Sequence, residues 1–130
     1  MSLNSIVLDA SALMAILNRE PGAERLTPDV LIRAVMSTVN LSEVQGKLVS
    51  LGISPDDAWS AIVGSVREAA PFTFEQAREA GNLIASTRPF GLSLGDRACL
   101  ALALERHAPV YTTDRAWKKL KLPIPIHVIR

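Results

Sequence analysis

Thiol and imidazole ligands are scarce in this sequence. Its 130 residues include one cysteine and two histidines. A single cysteine excludes an internal disulfide framework and any cysteine-based zinc or iron–sulfur cage within one chain. The two histidines, His107 and His127, cannot form a three-histidine site. Metal chemistry would therefore depend mostly on oxygen ligands, and the 13 aspartate and glutamate residues are the groups to consider.

Long apolar runs and a strong net charge are also lacking. The longest uninterrupted apolar run, Ala98 to Leu104, has seven residues, whereas a membrane-spanning helix needs about 20. Met1–Ser5 carry no positive charge and Asp9 interrupts the apolar residues that follow, so a secretory signal is not expected. The formal net charge of +1 gives no polycationic signature for nucleic acid. These features predict a soluble cytoplasmic protein, and the unpaired Cys99 agrees with a reducing compartment.

The residues that are present indicate one globular domain over residues 1–130. Hydrophobic residues make up 48% of the chain and charged residues 21%, a balance typical of a folded rather than a disordered protein. Short apolar runs of strand type alternate with helical patterns and turn signals. This alternation predicts an α/β fold in which helices cover both faces of a mainly parallel sheet of about five strands.

The element boundaries follow from periodicity, capping residues and breakers. Strands are predicted at residues 6–8, 34–39, 68–72, 109–112 and 124–129. Helices are predicted at residues 10–17, 23–26, 41–51, 55–66, 74–86, 94–107 and 115–120. Asn40, Ser54 and Ser93 are the predicted N-caps of three of these helices. In open parallel sheets, ligands bind outside the carboxyl ends of the strands, so functional residues are expected at that edge.

Four carboxylates are predicted to meet at this edge. Asp9 and Asp114 end two strand-type runs, and Glu43 and Asp96 lie in the first turns of two predicted helices. Carboxylates that are forced together repel one another unless a cation neutralises them. Mg²⁺ and Mn²⁺ prefer oxygen ligands and can assist the hydrolysis of phosphodiesters. The four acids are therefore candidate catalytic and metal-binding residues.

Each acid also has a structural interpretation. Asp9, Asp96 and Asp114 could cap helices, because an aspartate at a helix N-terminus accepts hydrogen bonds from free backbone N–H groups. Glu43 could be a solvated residue or a partner of the helix dipole. Capping and metal binding do not exclude each other, since helix N-termini lie at the same edge of the sheet. The prediction rests on the set of four.

Several further residues have supporting roles in this interpretation. The hydroxyl groups of Ser11 and Thr112 could bind a carboxylate, although a local turn is an equal alternative. Asn40 could cap its helix and also orient Glu43. The candidates for contacts with phosphate or with a protein partner are Arg97, Arg115 and Lys118.

In order and spacing, four stretches of the chain resemble PIN-domain ribonucleases, and more closely the VapC toxins of VapBC toxin–antitoxin pairs: Val7–Leu13, Asn40–Val44, Leu92–Ala101 and Val110–Trp117. The resemblance implies a three-layer α/β/α fold and an Mg²⁺- or Mn²⁺-dependent endoribonuclease. Its target would be transfer or ribosomal RNA. The resemblance also implies which acids bind the metal, namely Asp9, Glu43, Asp96 and Asp114.

The resemblance also implies partners, and metal-assisted hydrolysis is the hypothesised reaction. A cognate VapB-like antitoxin would block the site, the chain would form a homodimer, and DNA would be contacted only through the antitoxin complex. No membrane contact is implied. Water would attack phosphorus and the 3′-oxygen would leave, so the product would carry a 5′-phosphate.

Three alternatives remain open at this point. One is a binding module that retains the PIN fold without hydrolysis, and another is a related carboxylate nuclease that acts on DNA. The third is a helix-turn-helix DNA-binding protein, formed by Leu41–Leu51 and the helix from Pro55. Asp56 and Asp57 would then lead the recognition helix, where acids repel phosphate.

The small net charge conceals an uneven distribution of charge. Residues 1–96 contain 7 basic and 11 acidic residues, whereas residues 97–130 contain 7 basic and 2 acidic residues. An enzyme that cuts phosphodiesters needs cations for the phosphate backbone beside its metal-binding acids. The charge pattern is therefore compatible with a nucleic-acid substrate.

Overall fold

The computed structural model describes residues 4–130, so the expectation for Met1–Ser5 lies partly outside the described residues. The strands are β1 (Ile6–Leu8), β2 (Ala34–Ser37), β3 (Glu68–Ala70), β4 (Val110–Thr112) and β5 (Ile126–Val128). The α-helices are α1 (Ala10–Leu17), α2 (Pro28–Leu31), α3 (Thr38–Ser50), α4 (Pro55–Val63), α5 (Phe74–Asn82), α6 (Ile84–Thr87) and α7 (Leu94–Arg106). Short 3₁₀ helices cover Ala23–Arg25, Arg88–Phe90 and Arg115–Lys119.

The five strands form one parallel sheet in the order β3-β2-β1-β4-β5. The central strand β1 pairs with β2 on one side, where Ile6 lies opposite Ala34, and with β4 on the other, where Leu8 lies opposite Tyr111. The strand order reverses beside β1, which makes its carboxyl end the place where ligands bind in folds of this kind. The predicted α/β fold with a parallel sheet is confirmed.

Helices cover both faces of the sheet. Ile6 and Leu8 pack into one buried cluster with residues of α1, α3 and α4. Val7, between them in sequence, packs into a second cluster with residues of α7 and β4. Because successive side chains of a strand point to opposite faces, this division places one apolar layer on each side. The result is a three-layer α/β/α arrangement.

The start of α3 differs from the prediction. Strand β2 ends at Ser37 and not at Val39, because the Ser37 hydroxyl accepts a hydrogen bond from the Val39 backbone N–H (3.2 Å) and begins the helix. Ser37 is therefore the N-cap, and the prediction of Asn40 as the cap is wrong. Asn40 lies inside the first turn, where its side chain is free to make a tertiary contact.

Other boundaries shift by a few residues. Helix α4 ends at Val63, before Gly64, and not at Val66. Strand β3 ends at Ala70 and not at Phe72, since the following proline has no N–H to donate to a neighbouring strand. The predicted helix 74–86 is divided into α5 and α6 at Leu83, whose carbonyl accepts a hydrogen bond from the Thr87 hydroxyl (2.8 Å).

Helix α2 was not predicted. It begins at Thr27-Pro28-Asp29, which has the same cap, proline and acid pattern as Ser54-Pro55-Asp56 at the start of α4. The strand predicted at residues 124–129 is shorter, because β5 covers only Ile126–Val128. Within residues 4–130, no helix combines the length and the apolar character that crossing a bilayer requires.

Candidate functional site

Asp9 is held in one orientation at the carboxyl end of the central strand. As the N-cap of α1, its Oδ1 accepts hydrogen bonds from the Ala12 backbone N–H (2.8 Å) and the Ser11 hydroxyl (2.7 Å). Its Oδ2 accepts one from the Thr112 hydroxyl at the end of β4 (2.6 Å). The residue is only 4% exposed. The capping interpretation is confirmed, and the contacts of Ser11 and Thr112 with a carboxylate are observed.

The environment of Asp9 disfavours its negative charge. Its pKa is raised from 3.8 to about 6, because the effect of burial, with a smaller one from the nearby charge of Asp96, outweighs the lowering effect of the hydrogen bonds from Thr112, Ser11 and Ala12. A carboxylate that is both buried and close to another carboxylate is stabilised by a cation. The electrostatics at this end of β1 therefore favour a bound positive charge.

The same two hydroxyl groups connect Asp9 to Asp114. The Thr112 Oγ1 accepts a hydrogen bond from the Asp114 backbone N–H (3.1 Å), and the Ser11 Oγ accepts one from the Thr113 backbone N–H (3.0 Å). The Asp114 side chain is exposed and caps the 3₁₀ helix Arg115–Lys119 through the Ala116 N–H (3.0 Å). Its position is thus fixed relative to β1, and its predicted capping role is confirmed.

Glu43 is positioned by a contact between α3 and α7. The Asn40 side-chain amide donates both to Glu43 Oε1 (2.9 Å) and to the Gly95 carbonyl (2.9 Å). Asn40 is 1% exposed, so this bridge is buried. A Cβ atom at Gly95 would lie closer than 3.0 Å to the Glu43 carboxyl group. The glycine makes room for Glu43, and the predicted orienting contact of Asn40 is observed.

Asp96 caps the helix on which it lies. Its backbone N–H donates to the Ser93 hydroxyl (3.1 Å), and its Oδ2 accepts from the Ser93 backbone N–H (3.0 Å), which completes a capping box. Burial raises the pKa of the neighbouring Cys99 thiol, and the charges of Asp9, Asp96 and Glu43 raise it further. Glu43, whose carboxyl group lies against Gly95, and Asp96 therefore both lie at the first turn of α7.

Whether the candidate site suits a divalent ion depends on the ligands that its residues provide. Among residues 4–130, no three His, Cys, Asp or Glu side chains form a ready-made metal cage. Mg²⁺ is seldom held by such a cage, because it keeps several waters and binds through one or two carboxylates together with substrate phosphates. Asp9 and its neighbouring carboxylates provide oxygen ligands and excess negative charge of the kind that such an ion needs.

The basic candidates have different surroundings. Arg97 Nη1 donates to the Ala80 carbonyl (2.8 Å) and so connects α7 to α5. Arg115 Nε donates to the Arg130 carbonyl (3.1 Å), and Lys118 is exposed. The two arginines therefore make internal contacts, and a phosphate or partner contact of these residues stays a prediction.

A family model described as the PIN domain matches residues 6–122. Several solved VapBC structures share the fold. VapBC2 from Rickettsia felis, bound to a promoter DNA fragment, is 16% identical, with 93% of this chain and 96% of that chain covered and a TM-score of 0.72. DNA-bound VapBC from Salmonella typhimurium is 18% identical (95% and 97% covered, TM-score 0.72), and VapBC-5 from Mycobacterium tuberculosis is 24% identical (98% and 99% covered, TM-score 0.60).

A search among curated proteins finds no significant match. The family model nevertheless extends from the first strand to beyond the 3₁₀ helix Arg115–Lys119, and so includes all four carboxylates. The chain belongs to the PIN domain family.

Proposed function

We propose that this PIN domain, taken as one unit over residues 1–130, is a metal-dependent endoribonuclease and the toxin of a VapBC-type pair. The observation that carries the proposal is the buried, hydrogen-bonded Asp9, with Glu43 and Asp96 at the first turn of α7. The VapBC complexes that share the fold support the toxin assignment. Transfer or ribosomal RNA is the proposed substrate.

In this proposal Asp9 and Asp96 contact the metal directly, whereas Glu43 and Asp114 act through water or on a second ion. Mg²⁺ or Mn²⁺, when bound, would activate a water molecule and stabilise charge on the leaving oxygen. Asp9 is suited to hold a cation because burial already makes its uncompensated charge unfavourable. Asp114 is exposed, so it is suited to a contact on the solvent side.

The supporting residues fix these groups before RNA binds. Ser11 and Thr112 each donate to a different oxygen of Asp9, which fixes the plane of its carboxylate. Asn40 fixes Glu43 in the same way through a buried amide. Groups that are oriented in advance need little rearrangement during the reaction, and this lowers the barrier. Lys118, Arg97 and Arg115 remain the proposed contacts with phosphate or with the partner.

The test is cleavage of RNA by the purified chain. Transfer and ribosomal RNA are incubated with wild type, Asp9→Asn and Asp96→Asn in Mg²⁺, in Mn²⁺ and in a chelator. We expect metal-dependent cleavage by wild type and a loss of about 100-fold or more in each variant, a magnitude usual for removing one electrostatic catalytic group. Asp56→Asn, which neutralises an exposed acid at the start of α4, serves as the matched control.

The products and substrates separate the alternatives. Cleavage fragments should carry 5′-phosphate ends, and 2′,3′-cyclic phosphate ends would contradict the proposed hydrolysis. Cleavage of single-stranded DNA but not RNA would instead indicate a DNA nuclease. No cleavage of either substrate would indicate a PIN-fold binding module. The parallel three-layer fold is not that of a helix-turn-helix protein, although α3 and α4 are consecutive helices.

The proposed partners are a VapB-like antitoxin and a second copy of the chain. Large apolar side chains at the end of α3 and on α4 are exposed, namely Leu51 (66%), Trp59 (46%) and Val63 (57%), and a partner would cover them. DNA would be contacted only through the antitoxin complex, and the complex would act in the cytoplasm. Expression of wild type should arrest growth, Asp9→Asn should not, and co-expression of a cognate VapB-like antitoxin should restore growth.

A further inference from the structure

A cavity lies at the C-terminal end of the basic 3₁₀ helix, whereas its capping residue Asp114 lies at the N-terminal end. It has a volume of about 310 Å³ and is formed between the end of α6 with Phe90 and the segment that leaves the helix Arg115–Lys119. Ligand pockets occupy about 300 to 1,000 Å³, so this cavity has room for one small planar group. It is separate from the carboxylates described above.

The cavity combines an apolar floor with a basic rim. Phe90, Leu120 and Leu122 line it and are each partly buried, whereas Lys119 and Lys121 line it and are exposed. No aspartate or glutamate is among its lining residues. Within residues 4–130, neither lysine takes part in an ion pair. Two cations at the rim of an apolar slot match a ligand that has an anionic backbone and a flat apolar face.

The position of the cavity connects it to the proposed reaction. The helix that Asp114 caps has five residues and ends at Lys119. A 3₁₀ helix rises about 2.0 Å per residue, so Lys119 lies about 10 Å from Asp114 along the helix axis. A single strand of RNA with one phosphate at the carboxylates would therefore reach the cavity within a few nucleotides.

We propose that this slot, with Phe90 as its aromatic wall and Lys119 and Lys121 at its rim, binds an unpaired base and the adjoining phosphates of single-stranded RNA. Base stacking on an aromatic ring combined with a positively charged groove is a recurring way of holding single strands. The slot would fix which phosphodiester reaches the acids and would require an unpaired nucleotide there. This inference rests on the proposed ribonuclease function and adds to it a binding slot separate from the carboxylates.

The first arm of the test measures affinity without cleavage. Binding of a fluorescent single-stranded oligoribonucleotide to the full chain is followed by anisotropy in the Asp9→Asn background. Adding Phe90→Ala should weaken binding about tenfold, because stacking contributes on this scale per base, while Phe90→Trp should retain it. A fully paired RNA duplex should bind more weakly than the single strand and should not respond to Phe90→Ala.

The second arm tests the two cations and does not depend on a core substitution. Lys119→Gln with Lys121→Gln should lower the slope of log affinity against log salt concentration by about 1.4, the value for two phosphate contacts on a single strand. Lys47→Gln, which removes an exposed cation on α3 at the other face of the sheet, serves as the control and should leave RNA binding unchanged. Single-strand affinities that are the same in Phe90→Ala and in the double lysine variant as in Asp9→Asn alone would overturn the inference.

An acidic protein segment is the other occupant to exclude. Poly-glutamate has the charge of RNA but no bases. If it binds as tightly as RNA and loses affinity in Phe90→Ala, the slot is a peptide site and the inference is overturned. The proposed function is tested separately by cleavage. If Asp9→Asn loses metal-dependent cleavage but the slot variants bind RNA normally, the ribonuclease proposal stands and only the slot is overturned.

Discussion

At the scale of single residues, Asp9 combines two opposing demands. It caps α1 by accepting hydrogen bonds from Ser11 and Ala12, and it accepts a third from Thr112 of β4, which stabilises the fold. Its burial also makes its charged form unfavourable and raises its pKa to about 6. A residue placed only for stability would be better served by a neutral side chain. A cation bound beside Asp9 would stabilise its charged form.

This conflict predicts how stability depends on pH without metal. Because the pKa of Asp9 is about 6 in the folded chain and 3.8 in its ordinary state, the folded form binds the proton more tightly. Its contribution to the free energy of unfolding is fully present below pH 3.8 and is lost as the pH rises through about 6. The loss is about 3 kcal/mol.

Urea unfolding from pH 4 to 8 in a chelator measures this contribution. Asp9→Asn removes the titrating group, so its free energy of unfolding should fall less over this range than that of wild type. The lowered pKa values of Glu20 and Glu68 act in the opposite direction, but they are common to both proteins and cancel in the comparison. Parallel curves for the two proteins would contradict the prediction.

Gly95 provides a test of position at the same scale. In Gly95→Ala the new Cβ would overlap the carboxyl end of Glu43, a flexible side chain that can move away. We expect a stability change within about 1 kcal/mol, since alanine also favours the helix, together with a loss of RNA cleavage of about tenfold or more. Gly81→Ala on α5, whose Cβ meets nothing within 4 Å, should stabilise the chain and leave cleavage unchanged.

Among the secondary-structure elements, local sequence signals predicted the start of a helix correctly where the cap and its partner are close in sequence. They failed where a tertiary contact determines the role of the residue. Ser54 and Ser93 were recognised because the cap and its acidic neighbours lie within four residues. Asn40 resembled a cap, but its amide contacts Gly95, 55 positions away, and no local pattern indicates that. The true cap, Ser37, was masked by the apolar run of β2.

The serine N-caps of α4 and α7 allow effects on stability and on function to be separated. Ser93→Ala removes the hydroxyl that anchors the Asp96 backbone, and Ser54→Ala removes the equivalent group at Asp57 of α4. Each should lower the free energy of unfolding by about 1 kcal/mol. Only Ser93→Ala should also reduce RNA cleavage, because only that cap positions a proposed metal ligand. Equal cleavage by the two variants would show that Asp96 does not depend on its cap.

On the scale of the whole molecule, the alternation of short strands and helices was sufficient to predict a parallel sheet covered on both faces. The strand order β3-β2-β1-β4-β5 could not be read from the sequence, because neighbouring strands such as β1 and β4 are about 100 residues apart. That order places Asp9 beside Thr112 and so creates the site. The reversal of strand order at β1 makes this edge of the sheet the expected place for a ligand and brings the separate local motifs to it.

Divalent ions should therefore stabilise the entire folded chain. An ion that binds the folded form alone raises its stability by about 2.7 kcal/mol at a concentration 100 times its dissociation constant. For a domain of this size that corresponds to a rise of about 10 °C in Tm. We expect Mg²⁺ or Mn²⁺ to raise the Tm of wild type and to have little effect on Asp9→Asn, with Asp56→Asn responding like wild type.

The comparison between variants is what makes this measurement decisive. A weak screening effect of the added salt would raise or lower Tm equally in all three proteins, and an equal concentration of NaCl at matched ionic strength controls for it. Since Asp9 is the most buried of the four acids, its removal should abolish most of the metal-dependent shift, whereas Asp114→Asn, at an exposed position, should reduce it only in part. An equal shift in wild type and Asp9→Asn would place the ion elsewhere in the molecule and would remove the link between the buried carboxylate and the metal.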